Sequence, residues 1–450
     1  MAEFDTIVVG AGVAGLTAAR LLARAGQRVV VLEARDRIGG RTWTDRSDGR
    51  ITDLGASWIH GIDDSPLAEA ARALGVRTVE FTVGAYQADS RPIAYYDPAG
   101  RRLDAAATRR FVADLRAVDE RLAGVIAAST PGTSYEDVVE EALAEETWDP
   151  ERTERVREYL RHRTEEQYGA WIGDLDAHGL DDDAVEGDEV VFPDGYDWLA
   201  THLADGLEVR FAHVVRQVRW CSAGVEVTTD EGTVSAGRAV VTVPIGALRS
   251  GDLTIDPPLP EPVAGAVQRL AMNAFEKVFL RFPQRFWDAD VYAIRQQGPE
   301  GAWWHSWYDL TDLHGEPTLL TFAAGPCAVE IRGWDDDQVV ESVLTQLRRL
   351  YGDAVERPVQ VHVTRWQGDP YARGSYAYLT VGSTPEDHDL LASPVGGVLH
   401  LAGEATWTED PATVTAALLS GHRAACRILD RSIPLDELWA RGAATAAGPA

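Results

Sequence analysis

Hydrophobic positions along this chain follow three patterns. Short unbroken runs occur at Thr6-Ile7-Val8-Val9, at 28–32 and at 398–401. They suit strands buried on both faces of a parallel sheet. Further strands are expected at 207–211 and 214–218, with a strand pair at 224–229 and 233–243. From Phe275 apolar residues alternate inside a longer strand spanning 270–282, as a strand with two different faces requires. Helical spacing covers 16–25, 66–74, 105–128, 135–146, 151–166, 199–207 and 335–351. The three helices between 105 and 166 read as surface helices. Pro131-Gly132 breaks the first pair, and Thr147-Trp148-Asp149-Pro150 precedes the third. Gly75 stands where a helix ends in a left-handed residue.

The first strand runs into Gly10-Ala11-Gly12-Val13-Ala14-Gly15, then a helix, then a second strand ending at Glu33. That order suits a dinucleotide. Gly10 permits the tight turn, Gly12 lets a pyrophosphate reach the backbone, and Gly15 lets helix and strand pack closely. The pyrophosphate would sit on a helix N-terminus, where free N–H groups favour an anion. Glu33 lies about 20 residues on, where a carboxylate accepts ribose hydroxyls. The spacing does not separate NAD from FAD; the acid argues against NADP.

A length of 450 residues allows two or three domains. Cys221, Cys327 and Cys426 are scattered, which disfavours a disulfide framework or a zinc site and suits a cytoplasmic location. No leader and no membrane span are expected, and 431–450 reads as a loose tail. The net charge of −29 disfavours nucleic acid as a partner. It would concentrate a cationic substrate, or it simply keeps the surface solvated.

The continuation Arg37-Ile38-Gly39-Gly40-Arg41 resembles the second signature of the flavin-dependent amine oxidase family, which includes monoamine, polyamine and amino-acid oxidases and histone demethylases. The resemblance spans most of the chain. It implies an α/β fold, with a Rossmann-type FAD-binding domain assembled from 1–85, 190–250 and 391–430. An α+β substrate domain with a mixed sheet and helices would take 86–189 and 251–390. Gly40 and Arg41 would contact phosphate or flavin; Arg35 joins this set unless it and Arg37 form a solvated basic turn. Asp53-Leu54-Gly55-Ala56 matches a third flavin-contacting segment, continued by Ser57 and Trp58. Val215 matches the backbone contact to adenine, and 244–248 resembles a strand-to-loop exit from the FAD domain. Trp366-x-x-Asp369-Pro370 and Gly374-Ser375-Tyr376 match further family segments, with Tyr376 beside the flavin ring. Gly403 and Glu404 lead to a helix starting near Pro411, whose N-terminus would face the flavin N1–C2=O edge. Thr413 and Val414 stand in that turn.

Lys277 shares a strand face with Phe275 and Phe279, so it either snorkels or is functional. By resemblance it bonds through water to flavin N5. Thr413 replaces the second caging tyrosine of monoamine oxidases, leaving a half cage as in polyamine oxidases and histone demethylases, and Thr415 replaces a histidine that many of those carry. Ser375 replaces the cysteine of covalent relatives, so non-covalent FAD is expected. The expected reaction is hydride transfer from the carbon beside a neutral amine to flavin N5, then imine hydrolysis and reduction of O2 to hydrogen peroxide.

Trp58-Ile59-His60-Gly61 resembles polyamine and spermine oxidases, in which a histidine or acid here faces the substrate. A polycation also needs carboxylates along its tunnel; the resemblance to polyamine oxidases implies one near the end of the third helix, Glu165 or Glu166, unless these two belong to a solvated acidic face. Asp174, Asp176 and Asp181 to Asp183 are nearby acids, the last three read as a solvated face. Trp303 to Tyr308 either walls the cavity or packs a sheet. A polyamine such as spermine or spermidine is therefore the favoured substrate. An amino-acid oxidase would need an arginine clamp that sequence does not place. An apolar-substrate desaturase or a non-catalytic flavin-binding protein are the remaining rivals. Oligomeric state stays open.

Overall fold

A computed structural model of the chain describes residues 3–82, 92–180, 187–301 and 303–440. The Asp181 to Asp183 run and the tail beyond 440 lie outside these residues. An eight-stranded sheet is centred on Phe4–Val9, which pairs in parallel with Val29–Leu32 on one side and Gly232–Val241 on the other. Leu399–Leu401 extends it in parallel from Gly232–Val241. Val215–Cys221 and Gly224–Thr229 complete an antiparallel flank, and Thr254–Asp256 pairs beside Val215–Cys221, four residues past the expected break at 250.

Two helices pack over this sheet, Val13–Arg24 and Val414–Leu429. A Cβ added at Gly15 would lie 2.1 Å from the Gly10 carbonyl oxygen, and one at Gly421 2.1 Å from that of Ala14. Small residues are thus what let helix meet turn and helix meet helix. Gly10 itself has φ of 101°, which suits glycine.

A second, six-stranded sheet runs in the order Gln360–Val363, Phe275–Arg281, Thr318–Ala324, Ser306–Asp309, Ala293–Gln296, Ile93–Tyr96. Only the last pair is parallel. Val278, Leu280, Trp304 and Trp307 pack against the helix Asp336–Tyr351, whose start is held by an Asp335–Gln338 capping box. The helices Ala105–Ala128, Tyr135–Ala144 and Pro150–Tyr168 bury their apolar faces in one cluster, so they form a packed layer more than a surface.

Four expectations shift. The strand over 270–282 divides into Leu270–Met272, which pairs with Ala377–Leu379, and Phe275–Arg281. Between them Asn273 Oδ1 accepts the Ser375 and Tyr376 N–H groups and Nδ2 donates to Tyr168 O. Residues 244–248 do not leave as a loop, since Ile245–Arg249 is helical. The last helix begins at Val414, because Asp410 and Ala412 have φ of 46° and 66° and cannot join its first turn. The helix expected over 151–166 continues to Tyr168 and ends at Gly169, φ 63°.

Candidate active site

A continuous cavity runs from the glycine turn, past Lys277, to the helices of the second layer. At its first end lie Gly10, Gly12, Glu33, Arg35 and Val215. The helix N-terminus at Gly12 has no side-chain cap, and a Cβ there would meet nothing within 4 Å. Open space and free N–H groups at one point suit a phosphate. Glu33 is buried and accepts the Ala11 N–H at 2.7 Å and the Arg35 N–H at 2.9 Å, which fixes its carboxylate at the strand end. These features fit a dinucleotide flavin. Gly15 does not line the cavity; its role is the close packing described above.

Arg35 lines the cavity, pairs with Asp369 at 2.5 Å and lies 5.2 Å from the Tyr371 ring. Arg37 covers Trp43 at 4.5 Å, and burial lowers its pKa to about 10. Neither forms a solvated turn. Arg41 donates to Ser375 O at 3.0 Å and pairs with buried Glu404 at 2.8 Å. It thereby ties the Gly39-Gly40 turn to the segments carrying Tyr376 and Gly403. Gly40, Gly403 and Val414 also line this stretch. The Thr413 hydroxyl accepts the Ala416 N–H and donates to Asp410 O. Thr413, expected as a substrate as well as a cofactor contact, lines the cavity and caps the helix with its hydroxyl.

Lys277 is buried in the cavity wall. Its Nζ donates to Gly55 O at 2.6 Å, to Asp53 O at 3.1 Å and to the Ser57 hydroxyl, and stands 5.4 Å from the Trp58 ring. Desolvation lowers its pKa to about 8, opposed by Asp53. Burial raises the Asp53 carboxyl, although Thr44 and the Tyr196 N–H bond to it. Ala56 completes this wall. The Trp366 indole donates to Leu54 O at 3.0 Å and so braces the segment that receives Lys277.

Opposite stand the rings of Trp58, Phe275, Phe322, Tyr308 and Tyr376, with neighbouring centroids 4.9 to 6.4 Å apart. Tyr376 OH donates to Gln167 O at 2.7 Å. Of the Trp303 to Tyr308 stretch, only Tyr308 lines this cavity; Trp304 and Trp307 are core, and Trp303 stacks on Trp334. His60 stands at a half-open part of the wall with Nδ1 against buried Glu189.

The two glutamates separate. Glu166 lines the cavity, 2.9 Å from His305 Nε2 and accepting from Tyr308 OH at 3.3 Å. Burial opposes its ionisation, but His305 and Arg295 outweigh that and hold the carboxyl below its ordinary range. Glu165 does not line the cavity. It turns toward Gly325, 3.8 Å from Arg161, and desolvation raises its pKa to about 8. Helical geometry explains the split, since adjacent residues point about 100° apart. Asp176 is a cap, accepting the His178 and Gly382 N–H groups; neither it nor Asp174 reaches the cavity.

Three groups were not singled out from sequence. Buried Glu276 accepts the Trp366 and Gln367 N–H groups and the Thr364 hydroxyl, so it positions the stretch beside Lys277. Its signal was a carboxylate on the strand face opposite the lysine. Arg295 is buried in the cavity wall and donates to Tyr159 OH at 2.5 Å and Tyr308 OH at 3.4 Å. His305 lies behind Glu166. Nothing local marks these last two, because the sheet brings them to the helix Pro150–Tyr168 from over 120 residues away.

A sequence model of flavin-containing amine oxidoreductases matches residues 13–429. The chain belongs to that family. Lysine-specific histone demethylase 1 homolog 1 of Oryza sativa subsp. japonica is 34% identical over 94% of this chain and 52% of its own length. Human lysine-specific histone demethylase 2 is 31% identical over 94% and 53%. The chain spans about half the length of these curated relatives. Putrescine oxidase solved with putrescine bound has a similar fold, with a TM-score of 0.77 at 24% identity over 95% of this chain and 99% of that one. The expected α/β fold is therefore present, and the family is one of flavin-containing oxidoreductases.

Proposed function

We propose that the protein is an FAD-dependent amine oxidase that holds FAD non-covalently and oxidises an amine with a further cationic group, a polyamine such as spermine or spermidine. The observation that carries the reading is Lys277, enclosed between the Asp53-to-Ser57 segment and an aromatic chamber at the midpoint of the cavity. Bound FAD would supply the hydride acceptor and pass the electrons to O2, giving peroxide. Glu33, the Gly12 turn and Arg41 would hold it. Asp53 O, Gly55 O and Ser57 orient Lys277. An ammonium uses three protons on these acceptors; the neutral amine keeps two and frees a lone pair to accept a water proton. Trp58, Phe322, Tyr308 and Tyr376 exclude bulk water and give the amine an apolar slot. Glu166, ionised in the wall beyond Tyr308, supports a distal ammonium.

Arg295 favours a second reading. A buried guanidinium in the wall beside Tyr308 is the group a substrate carboxylate needs, so an amino acid is the alternative. Purified protein assayed for peroxide on spermine, spermidine, putrescine, hexylamine, amino acids and a methyl-lysine peptide tests both. Turnover of spermine or spermidine above hexylamine supports the first reading. Turnover confined to amino acids replaces it with the second, and no peroxide from any amine removes both.

A further inference from the structure

Beyond Tyr376 the cavity continues into an arm that the chemistry above leaves unused. The helix Ala105–Ala128 lines it with Asp119, Leu122, Ala123, Ile126 and Ala127, the i, i+3, i+4, i+7, i+8 spacing of one helix face. At 1.5 Å per residue that face is about 12 Å long. The turn Ala177–Gly179 lies beside it, with His178 Nε2 standing 2.9 Å from Ser129 Oγ at the helix end. Leu180 and Leu379 add apolar wall there. The whole cavity holds about 2010 Å³, against roughly 300–1,000 Å³ for an ordinary ligand site, so space remains beyond a single ligand.

The inner end of the arm is tied to the reacting region at two points. Arg163 donates to Asp119 through two contacts of 2.9 and 2.8 Å, and Arg163 precedes Glu166 by one helical turn. Tyr376 OH donates to Gln167 O at 2.7 Å. The ion pair closes on itself, and outward of it the helix is uncharged. A quarter of the chain is charged, 25%, yet no Asp, Glu, Lys or Arg occurs from Leu122 to Tyr135. Ala123 and Ala127 are exposed and Ile126 is half-buried, although the outward face of a helix ordinarily carries charge.

We propose that this arm binds an apolar substituent of the substrate, so that the preferred amine carries an alkyl chain on one side of the reacting nitrogen and a cation on the other. The chain lies along Leu122 and Ile126, the cation at Glu166. The proposal rests on the amine-oxidase reading above. A second ammonium in the arm would give up water for a face whose one carboxylate, Asp119, is already held by Arg163. An alkyl chain instead covers apolar surface and leaves no polar group unpaired.

The test uses the holoenzyme and hexane diamine bearing methyl, butyl or octyl on one nitrogen. In the wild type kcat/KM for peroxide release should rise about twofold per added methylene, less than full burial gives because the arm is open on one side. That is about a hundredfold from methyl to octyl, carried by KM rather than kcat. Ala123→Asp puts a carboxylate on the arm at an exposed position, which costs the fold little. The octyl-to-methyl ratio should fall about tenfold or more in this variant and be retained in Ala123→Val. A wild-type ratio near one, or equal ratios in wild type and Ala123→Asp, overturns the proposal. Octyltrimethylammonium has no nitrogen lone pair to start the oxidation, so it gives a reading without turnover. Followed through the flavin absorbance, it should bind at least about tenfold more tightly than tetramethylammonium in the wild type and lose most of that advantage in Ala123→Asp; equal affinities overturn the proposal. Tight octyl binding with no peroxide from any amine would count against the amine-oxidase reading and leave the arm standing. Peroxide from hexane diamine with no effect of chain length would do the reverse. A dimer that Ala123→Asp splits, with the octyl-to-methyl ratio unmoved, would make this face a seat for a second copy of the chain and overturn the proposal.

Discussion

Lys277 illustrates how a single burial sets chemistry. Its three acceptors are backbone carbonyls and a hydroxyl, not a carboxylate, so no full counter-charge offsets desolvation. The pKa of about 8 makes the neutral amine accessible at ordinary pH. Lys277→Met should retain flavin yet slow flavin reduction or reoxidation by about 10²–10⁴-fold, the range for positioned proton-transfer groups. Stopped-flow measurement of both half-reactions checks it, and unchanged rates in both would leave Lys277 a packing residue. The sign for stability is also fixed. The folded pKa lies below the unfolded one, so between about 8 and 10.5 the unfolded state binds more protons and stability rises with pH. Met at 277 should remove that rise.

Glu165 titrates in the opposite sense. Its folded pKa of about 8 lies above the ordinary 4.5. Folding favours the protonated form, so its contribution is retained below pH 4.5 and lost as pH rises through about 8. Glu165→Gln should therefore raise Tm at pH 9 relative to wild type and change little at pH 4.5. It should leave the spermine-to-monoamine ratio untouched. Glu166→Gln should lower that ratio, by up to the 3–5 kcal/mol of a broken buried pair and by about 1 kcal/mol if water enters. Equal losses in the two variants would reject the placement of Glu166 and not Glu165 against substrate.

Elements place these residues through a few close approaches. The helices Val13–Arg24 and Val414–Leu429 meet where Gly421 faces the Ala14 backbone, and both helices also line the cavity. Gly421→Val would force a Cβ into a carbonyl that cannot swing away. A loss of about 3 kcal/mol or more follows from overpacking, with lower flavin content in the purified protein. Asp335→Ala, at a cap remote from the cavity, should cost about 1 kcal/mol and leave flavin content unchanged. Elements with a strong local period or cap were legible in the sequence, among them Ala105–Ala128, Pro66–Leu74 with Gly75, and Gly224–Thr229. The break at Asn273 was not, because its cause is the Ser375 and Tyr376 N–H groups a hundred residues away. The late start of the final helix was hidden for another reason. Proline at 411 is a good first helical residue, and only the left-handed Asp410 and Ala412 exclude it.

At the scale of the molecule, the cavity exists because two sheets with separate cores face each other across it, one bringing the glycine turn and Glu33, the other Lys277 and Tyr308. The end carrying the glycine turn, Glu33 and Arg41 was legible because those residues cluster in short contiguous signatures. The other end was legible only in part: Lys277, Tyr376 and His60 sit in recognisable segments, whereas Arg295 and His305 reach Glu166 through sheet pairing alone. The same architecture bears on how FAD is held. Ser375 is fixed beside Tyr376, its hydroxyl donating to Phe275 O at 2.6 Å and its carbonyl accepting from Arg41. A serine hydroxyl there offers no thiolate to bond a flavin carbon. Among the free cysteines, Cys327 and Cys426 are at least partly buried, Cys221 lies on the strand Val215–Cys221, and none lines the cavity. With FAD bound as proposed, its retention would rest on phosphate at the Gly12 turn, ribose at Glu33 and the Arg41–Glu404 pair, all of which depend on the folded state. Acid precipitation should release intact yellow FAD into the supernatant, with a mass equal to that of free FAD. Flavin remaining on the pellet would show a covalent bond and would require a linking residue other than Ser375.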